Sequence, residues 1–200
     1  MTCQRLIGIH PVADRTSGQR RSFLSFGLTA LAYAATPKLW AATAAAPAQA
    51  QDVTIEMFTA GGKSSGAVRV AKVVKTEAEW QAQLSPLAYH VTRQQGTEVS
   101  FSGEYASSHA DGLYRCICCA TALYDSKAKY ESGTGWPSFW KAISAMNIVT
   151  DTEAHSIWRG DPISCRRCDA HLGHVFNDGP PPTGLRYCMN SVALHFVPRA

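Results

Sequence analysis

Two hundred residues suffice for one folded domain with its own core, and 46% hydrophobic against 17% charged residues excludes wholesale disorder. The formal charge is +4, but residues 1–50 hold five Lys/Arg and one acidic residue, whereas residues 51–200 hold fourteen of each. A folded part of zero net charge lacks the basic footprint that displaces counterions from phosphates, so nucleic acid is not an expected partner.

Residues 1–50 read as a leader rather than as structure. Arg20-Arg21 precedes Ser22-Phe23-Leu24-Ser25, then an apolar run from Phe26 to about Ala35, then an Ala/Pro/Gln-rich stretch ending in Ala48-Gln49-Ala50. The run is too short to span a ~30 Å hydrocarbon layer as a permanent helix, and small-x-small is a signal-peptidase pattern. The RRSFLS string resembles the twin-arginine export signal. These features predict cleavage after Ala50, export to the periplasm, and no stable membrane anchor after processing.

Residues 51–75 are Gly/Ser-rich at first and show no clear periodicity, which predicts a linker or a loosely attached segment. Thr76 with Glu79 three residues on forms a capping box and opens a short helix through Trp80 to Leu84. Ser85-Pro86 is a second N-cap with proline at the first helical position, and Gly96 stops the helix that follows. Downstream come short aromatic and β-branched runs between Gly, Pro, Asp and Asn clusters: Leu113–Ile117, Ile143–Thr150, His155–Arg159, His174–Phe176 and Arg186–Val197. The expected fold is mainly β (α+β), with short N-terminal helices packed on antiparallel sheets.

Cys116-x-x-Cys119 and Cys165-x-x-Cys168 carry the strongest local signal. A two-residue spacer lets two thiolates on one turn converge on an ion, and two such turns close a tetrahedral shell. Four thiolates leave no open position, so such a zinc is structural. Two disulfides are the alternative in an oxidising compartment. Cys118 can exchange roles with Cys119, but the spacing of the second pair leaves Cys118 as the odd one out.

Cys188 lies in Arg186-Tyr187-Cys188-Met189-Asn190. On a strand, the two-residue period puts Arg186, Cys188 and Asn190 on one face. The guanidinium is then expected to lower the thiol pKa, and Asn190 to hold a polar substrate group; the alternative is an inert core cysteine. His171 and His174, in a Gly-containing loop, suit proton donation to a departing oxygen, with a second metal shell as the rival role. Asp178 either orients a histidine or water, or makes the turn Asn177-Asp178-Gly179. In Gly133-Thr134-Gly135-Trp136, the indole either walls a site for a methyl group or anchors the loop to the core.

Together, TRQQGTE (92–98), GLYRCICC (112–119), SGTGWPSFW (132–140), CRRCDAHLGHVFNDGPPPTG (165–184) and RYCMNSVALHF (186–196) resemble the B-type methionine-R-sulfoxide reductases, in family order. The resemblance implies two antiparallel sheets and places the nucleophile on Cys188. It places the substrate-oxygen histidines on His171 and His174 and the methyl-recognising indole on Trp136. The supporting polar positions fall on Arg186, Asn190 and Asp178, and the zinc ligands on Cys116, Cys119, Cys165 and Cys168. It further implies thiol-dependent reduction of protein-bound methionine-R-sulfoxide through a Cys188 sulfenic acid. Many members carry a resolving cysteine where this chain has Thr134, and another site used by some falls at about Ser102. Cys118 is the remaining alternative but is flanked by two of the implied zinc ligands, so direct reduction of a monomeric protein by a thioredoxin-like external thiol is expected. Two rivals are a non-catalytic zinc module that binds a partner, and a thiol–disulfide oxidoreductase using a Cys-x-x-Cys pair.

Overall fold

The computed structural model describes residues 51–154, 156 and 159–200; the leader and its cleavage site lie outside the described residues, as do His155, Ile157 and Trp158. All strand pairs are antiparallel. They form a two-stranded ribbon, a six-stranded sheet and a three-stranded sheet, with two short helices before the larger sheets.

Both helices start where the capping signals place them. The first, α1 (Glu77–Gln83), has the reciprocal Thr76/Glu79 box, and α2 (Pro86–Gln94) has Ser85 accepting from the Ala88 amide. Trp80 of α1 and Val91 of α2 are buried, so the apolar face of each helix rests on the core. Gln95 turns left-handed at φ 56° to end α2.

Residues 51–75, expected as a linker or a loosely attached segment, are paired rather than free-running. They contain a hairpin of β1 (Asp52–Phe58) and β2 (Ser64–Ala71). Only Ile55 of the hairpin is buried, which is why no alternation was legible there. Its anchor is polar and distant in sequence. The buried Asn147 side chain accepts from the Glu56 amide (2.7 Å) and donates to the Glu56 and Ala122 carbonyls (2.9 and 2.8 Å).

The three-stranded sheet runs β11 (Leu194–Pro198), β3 (Gly112–Cys116), β4 (Ala122–Asp125). The six-stranded sheet contains β5 (Lys129–Tyr130), β6 (Ser138–Phe139), β7 (Ile148–Thr150), β8 (Asp161–Cys165), β9 (His171–Phe176) and β10 (Arg186–Met189), in the order β5-β6-β10-β9-β8-β7. Tyr124 stacks on Phe139 at 4.4 Å and Tyr114 meets the same ring edge-on at 5.1 Å. These three buried rings join the two sheets, and such aromatic pairs add about 0.5–1.5 kcal/mol each beyond burial.

Three expected strands are redrawn. The run Arg186–Val197 breaks into β10 and β11, which belong to different sheets, with a single 3-10 turn, Ser191–Ala193, between them. Of Ile143–Thr150 only the last three residues pair. Within His155–Arg159 the described residues form no named strand; Ser156 bridges Gly160 alone. Among the described residues, no helix is long and apolar enough to cross a membrane.

Candidate active site and metal centre

The two cysteine pairs occupy matching turns. After β3, the Ala120 amide donates to the Cys116 carbonyl and the Cys116 amide to the Thr121 carbonyl, both at 2.8 Å. After β8, the Asp169 amide donates to the Cys165 carbonyl and the Cys165 amide to the Ala170 carbonyl, both at 2.9 Å. The fourth residue past each leading cysteine is left-handed, Ala120 at φ 59° and Asp169 at φ 56°. Each turn thus folds its two thiols to one side, and the sheets bring the turns together.

All four sulfurs lie within 4.8 Å of one another, with Cys116–Cys168 at 3.6 Å and Cys119–Cys165 at 3.5 Å. A disulfide needs about 2.05 Å, and all four cysteines are free. Tetrahedral Zn–S bonds of about 2.3 Å give sulfur–sulfur edges of about 3.8 Å, so these residues fit a tetrathiolate ion. Cys118, buried inside the first turn, is not part of the cluster and does not line the cleft described next.

A cleft of about 620 Å³ opens on the six-stranded sheet, with Trp136, His171, His174, Cys188 and Asn190 among its walls. The strand register builds its floor. Cys188 on β10 lies opposite Ser138 on β6 and His174 on β9, so the three side chains share one face of the sheet.

His171 and His174 are three residues apart and would point to opposite faces of a regular strand. They sit on a strand rather than in the expected loop, and a bulge corrects their phase. Ile163 pairs with Gly173 and Ser164 with His171, leaving Leu172 as the extra residue. The bulge re-aims His171 toward the cleft beside His174, with ring centroids 5.1 Å apart. Gly173 keeps β9 tight against the nucleophile's strand. A Cβ there would overlap the Cys188 carbonyl oxygen and stand 2.9 Å from Met189 Cα.

Burial first, and His174 second, push the His171 pKa down to about 4; burial and then Arg159 lower His174. Both imidazoles are therefore neutral near pH 7. His171 Nε2 is buried without a hydrogen-bond partner among the described residues, an acceptor or donor held ready for a polar ligand.

The expected lowering of the Cys188 pKa is overturned. Burial raises it, and the opposing contributions of Thr134, Arg186 and Ser138 do not outweigh that. Arg186 gives Nε and one terminal nitrogen to the two Asp178 oxygens at 2.8 Å each and lies 4.2 Å over the Phe176 ring. Asp178 thereby orients Arg186.

Asn190 enters the cleft, but not by strand alternation, since β10 ends at Met189. Its backbone and side-chain nitrogens both donate to the Leu172 carbonyl, at 2.9 and 3.1 Å. Trp136 lines the cleft wall and its indole N–H donates to the Glu98 carbonyl at 3.2 Å. Sequence reasoning assigned no role to Glu98, Thr134 or Ser138. Thr134 Oγ1 is 3.9 Å from Cys188 Sγ, which its place at the family's resolving-cysteine position could have signalled, whereas Ser138 is revealed by the pairing of β6 with β10.

Fold and site together define a class of protein: an antiparallel β domain, clamped by four thiols, that presents one further cysteine to neutral imidazoles and an indole wall. The SelR domain family matches residues 84–198. The peptide methionine sulfoxide reductase MsrB of Pseudomonas entomophila (strain L48) is 56% identical over 130 residues, 64% of this chain and 98% of that protein. The protein of the same name from Thiobacillus denitrificans (strain ATCC 25259 / T1) is 53% identical over 126 residues, 62% of this chain and 95% of that protein. The chain belongs to the SelR domain family, that of the B-type methionine-R-sulfoxide reductases.

Proposed function

We propose that this protein reduces methionine-R-sulfoxide in oxidised proteins, with Cys188 as nucleophile and an external thiol as the source of electrons. The observation that carries the reading is the row Ser138–Cys188–His174 on the floor of a cleft that also holds His171 and Trp136. Family membership supports the reaction, and a binding module without catalysis leaves that constellation without a role.

The protonation states close the balance. The free protein holds a protonated Cys188 beside neutral histidines. An imidazole takes the thiol proton and returns it to the sulfoxide oxygen while the sulfur anion attacks the sulfoxide sulfur. The oxygen passes to Cys188, leaving methionine and a sulfenic acid, with no external proton consumed. Two external thiols then restore the Cys188 thiol and release one water and one disulfide. Trp136 packs the substrate methyl group while His171 and His174 face its oxygen, so one epimer alone aligns sulfur with sulfur. Arg186, held by Asp178, and Asn190 support the polar side of the cleft.

Cys116, Cys119, Cys165 and Cys168 hold a zinc ion whose part is to clamp β3 to β8. Such sites bind with an apparent 10–16 kcal/mol, roughly a whole domain's stability. We further propose that residues 1–50 are a twin-arginine-type leader removed after Ala50, that the mature protein is a periplasmic monomer, and that a thioredoxin-like protein reduces Cys188 directly. Edman sequencing of the periplasmic protein tests the leader: an N-terminus at Met1 refutes it. Turnover of each resolved epimer with dithiothreitol tests the reaction. Wild type is expected to reduce only the R form and Cys188→Ser neither; equal activity in Cys188→Ser refutes the assignment.

A further inference from the structure

Glu98 is 2% exposed, and each of its polar groups is hydrogen-bonded within the protein. Its amide donates to Asn190 Oδ1 at 2.9 Å, and its carbonyl accepts from the Trp136 indole N–H at 3.2 Å. Its carboxylate accepts from the amides of Ser191 (2.6 Å) and Val192 (3.1 Å). The turn Ser191–Ala193 receives no cap from Asn190, the residue placed to give one. Glu98 caps it from 93 residues away in sequence, while the Asn190 side chain is tied instead to the Glu98 amide and the Leu172 carbonyl.

The neighbouring chain reinforces this seat. Ser100 Oγ donates to the Thr134 carbonyl at 2.6 Å, and the Phe101 amide donates to the Gly135 carbonyl at 2.8 Å. A Cβ on Gly103 would overlap Ser191 Oγ and come within 2.6 Å of Glu98 Oε1, so there is no slack around the carboxylate.

We propose that Glu98 is the positioning residue that keeps Trp136 and Asn190 in register across Cys188. The inference rests on the proposed reductase reading. Glu98 touches no substrate. It acts by fixing the indole wall and the polar wall to one rigid carboxyl-capped turn. Both carboxylate oxygens face N–H groups, so an amide in its place must turn its own NH₂ toward one of them. Glu98→Gln is therefore nearly isosteric and yet breaks the cap.

The test joins kinetics to the ¹H–¹⁵N spectrum of the full chain. Glu98→Gln is expected to lose about ten- to a hundredfold in kcat/KM on the R epimer, mostly in kcat, as an ångström-scale misplacement does. The Trp136 indole N–H and Asn190 side-chain amide resonances, assigned with Trp136→Phe and Asn190→Ala, are expected to shift. Unchanged resonances overturn the proposal, and so does a rate loss fully accounted for by the unfolded fraction. If Glu98→Gln fails to fold, exchange in wild type decides. The Trp136 indole and the Ser191 and Val192 amides are expected to be protected together, and an indole that exchanges at the open-chain rate overturns the proposal. A wild type inactive on both epimers refutes the reductase reading, while the spectra still judge the positioning.

Discussion

Gly173→Ala concentrates the geometry of the site into one methyl group. The added Cβ would stand 2.9 Å from Met189 Cα and overlap the Cys188 carbonyl oxygen. Carbon–carbon contact needs about 3.5–4.0 Å, so β10 and β9 must separate by roughly 0.6–1.1 Å. Both obstacles are backbone, so no side-chain rotation relieves them. Overpacking of this kind costs about 1–3 kcal/mol, and a nucleophile displaced by about 1 Å loses on the order of a hundredfold in rate. Because β9 also carries His171 and His174, the thiol and the imidazoles move apart rather than together. The assay is kcat/KM on the R epimer at a temperature where circular dichroism shows the variant folded, beside its thermal midpoint. Loss of rate in the folded protein is expected. A variant with wild-type rate and midpoint would refute the argument that the approach of β9 to β10 sets the site.

Four further outcomes are expected. His171, with its pKa depressed to about 4, favours the neutral folded form. Its contribution to stability, on the order of 3 kcal/mol, is full above about pH 6.5 and is lost as pH falls toward 4, so His171→Gln should flatten acid melting in that window. The raised Cys188 pKa predicts that its alkylation by iodoacetamide climbs only above the ordinary thiol range, and a plateau below pH 8 refutes it. Thr134→Cys, whose side chain would stand where Oγ1 is 3.9 Å from the Cys188 sulfur, should trap a 134–188 disulfide after one turnover. Wild type should instead give a dimedone-reactive sulfenic acid by mass spectrometry, and a dominant Cys118–Cys188 disulfide would refute direct reduction. Ala120→Gly removes a left-handed non-glycine residue, at φ 59°, from the first cysteine turn. The relief of about 1–2 kcal/mol, less glycine's entropy of about 0.5–1, should raise the thermal midpoint by a few degrees.

Features governed by neighbours in sequence were legible from the chain alone. The Thr76/Glu79 box, the Ser85-Pro86 start and the two Cys-x-x-Cys turns depend on contacts within a few residues, and each stands where the spacing puts it. The joint motifs from TRQQGTE to the Cys188 string also brought together the residues that line the cleft. What the sequence could not decide depends on pairing between distant strands. The chain has no local mark for the bulge at Leu172 that turns His171 to the side of His174, nor for the end of β10 at Met189. Asp178 reaches Arg186 only because the intervening chain folds back, and burial within the assembled sheet reverses the expected thiol pKa. The hairpin over residues 52–71 escaped notice because it buries little and is held by Asn147, 91 residues from Glu56. Local spacing thus determined which groups are available, whereas register and desolvation, properties of the assembled sheet, decided where they point and which of them carry charge.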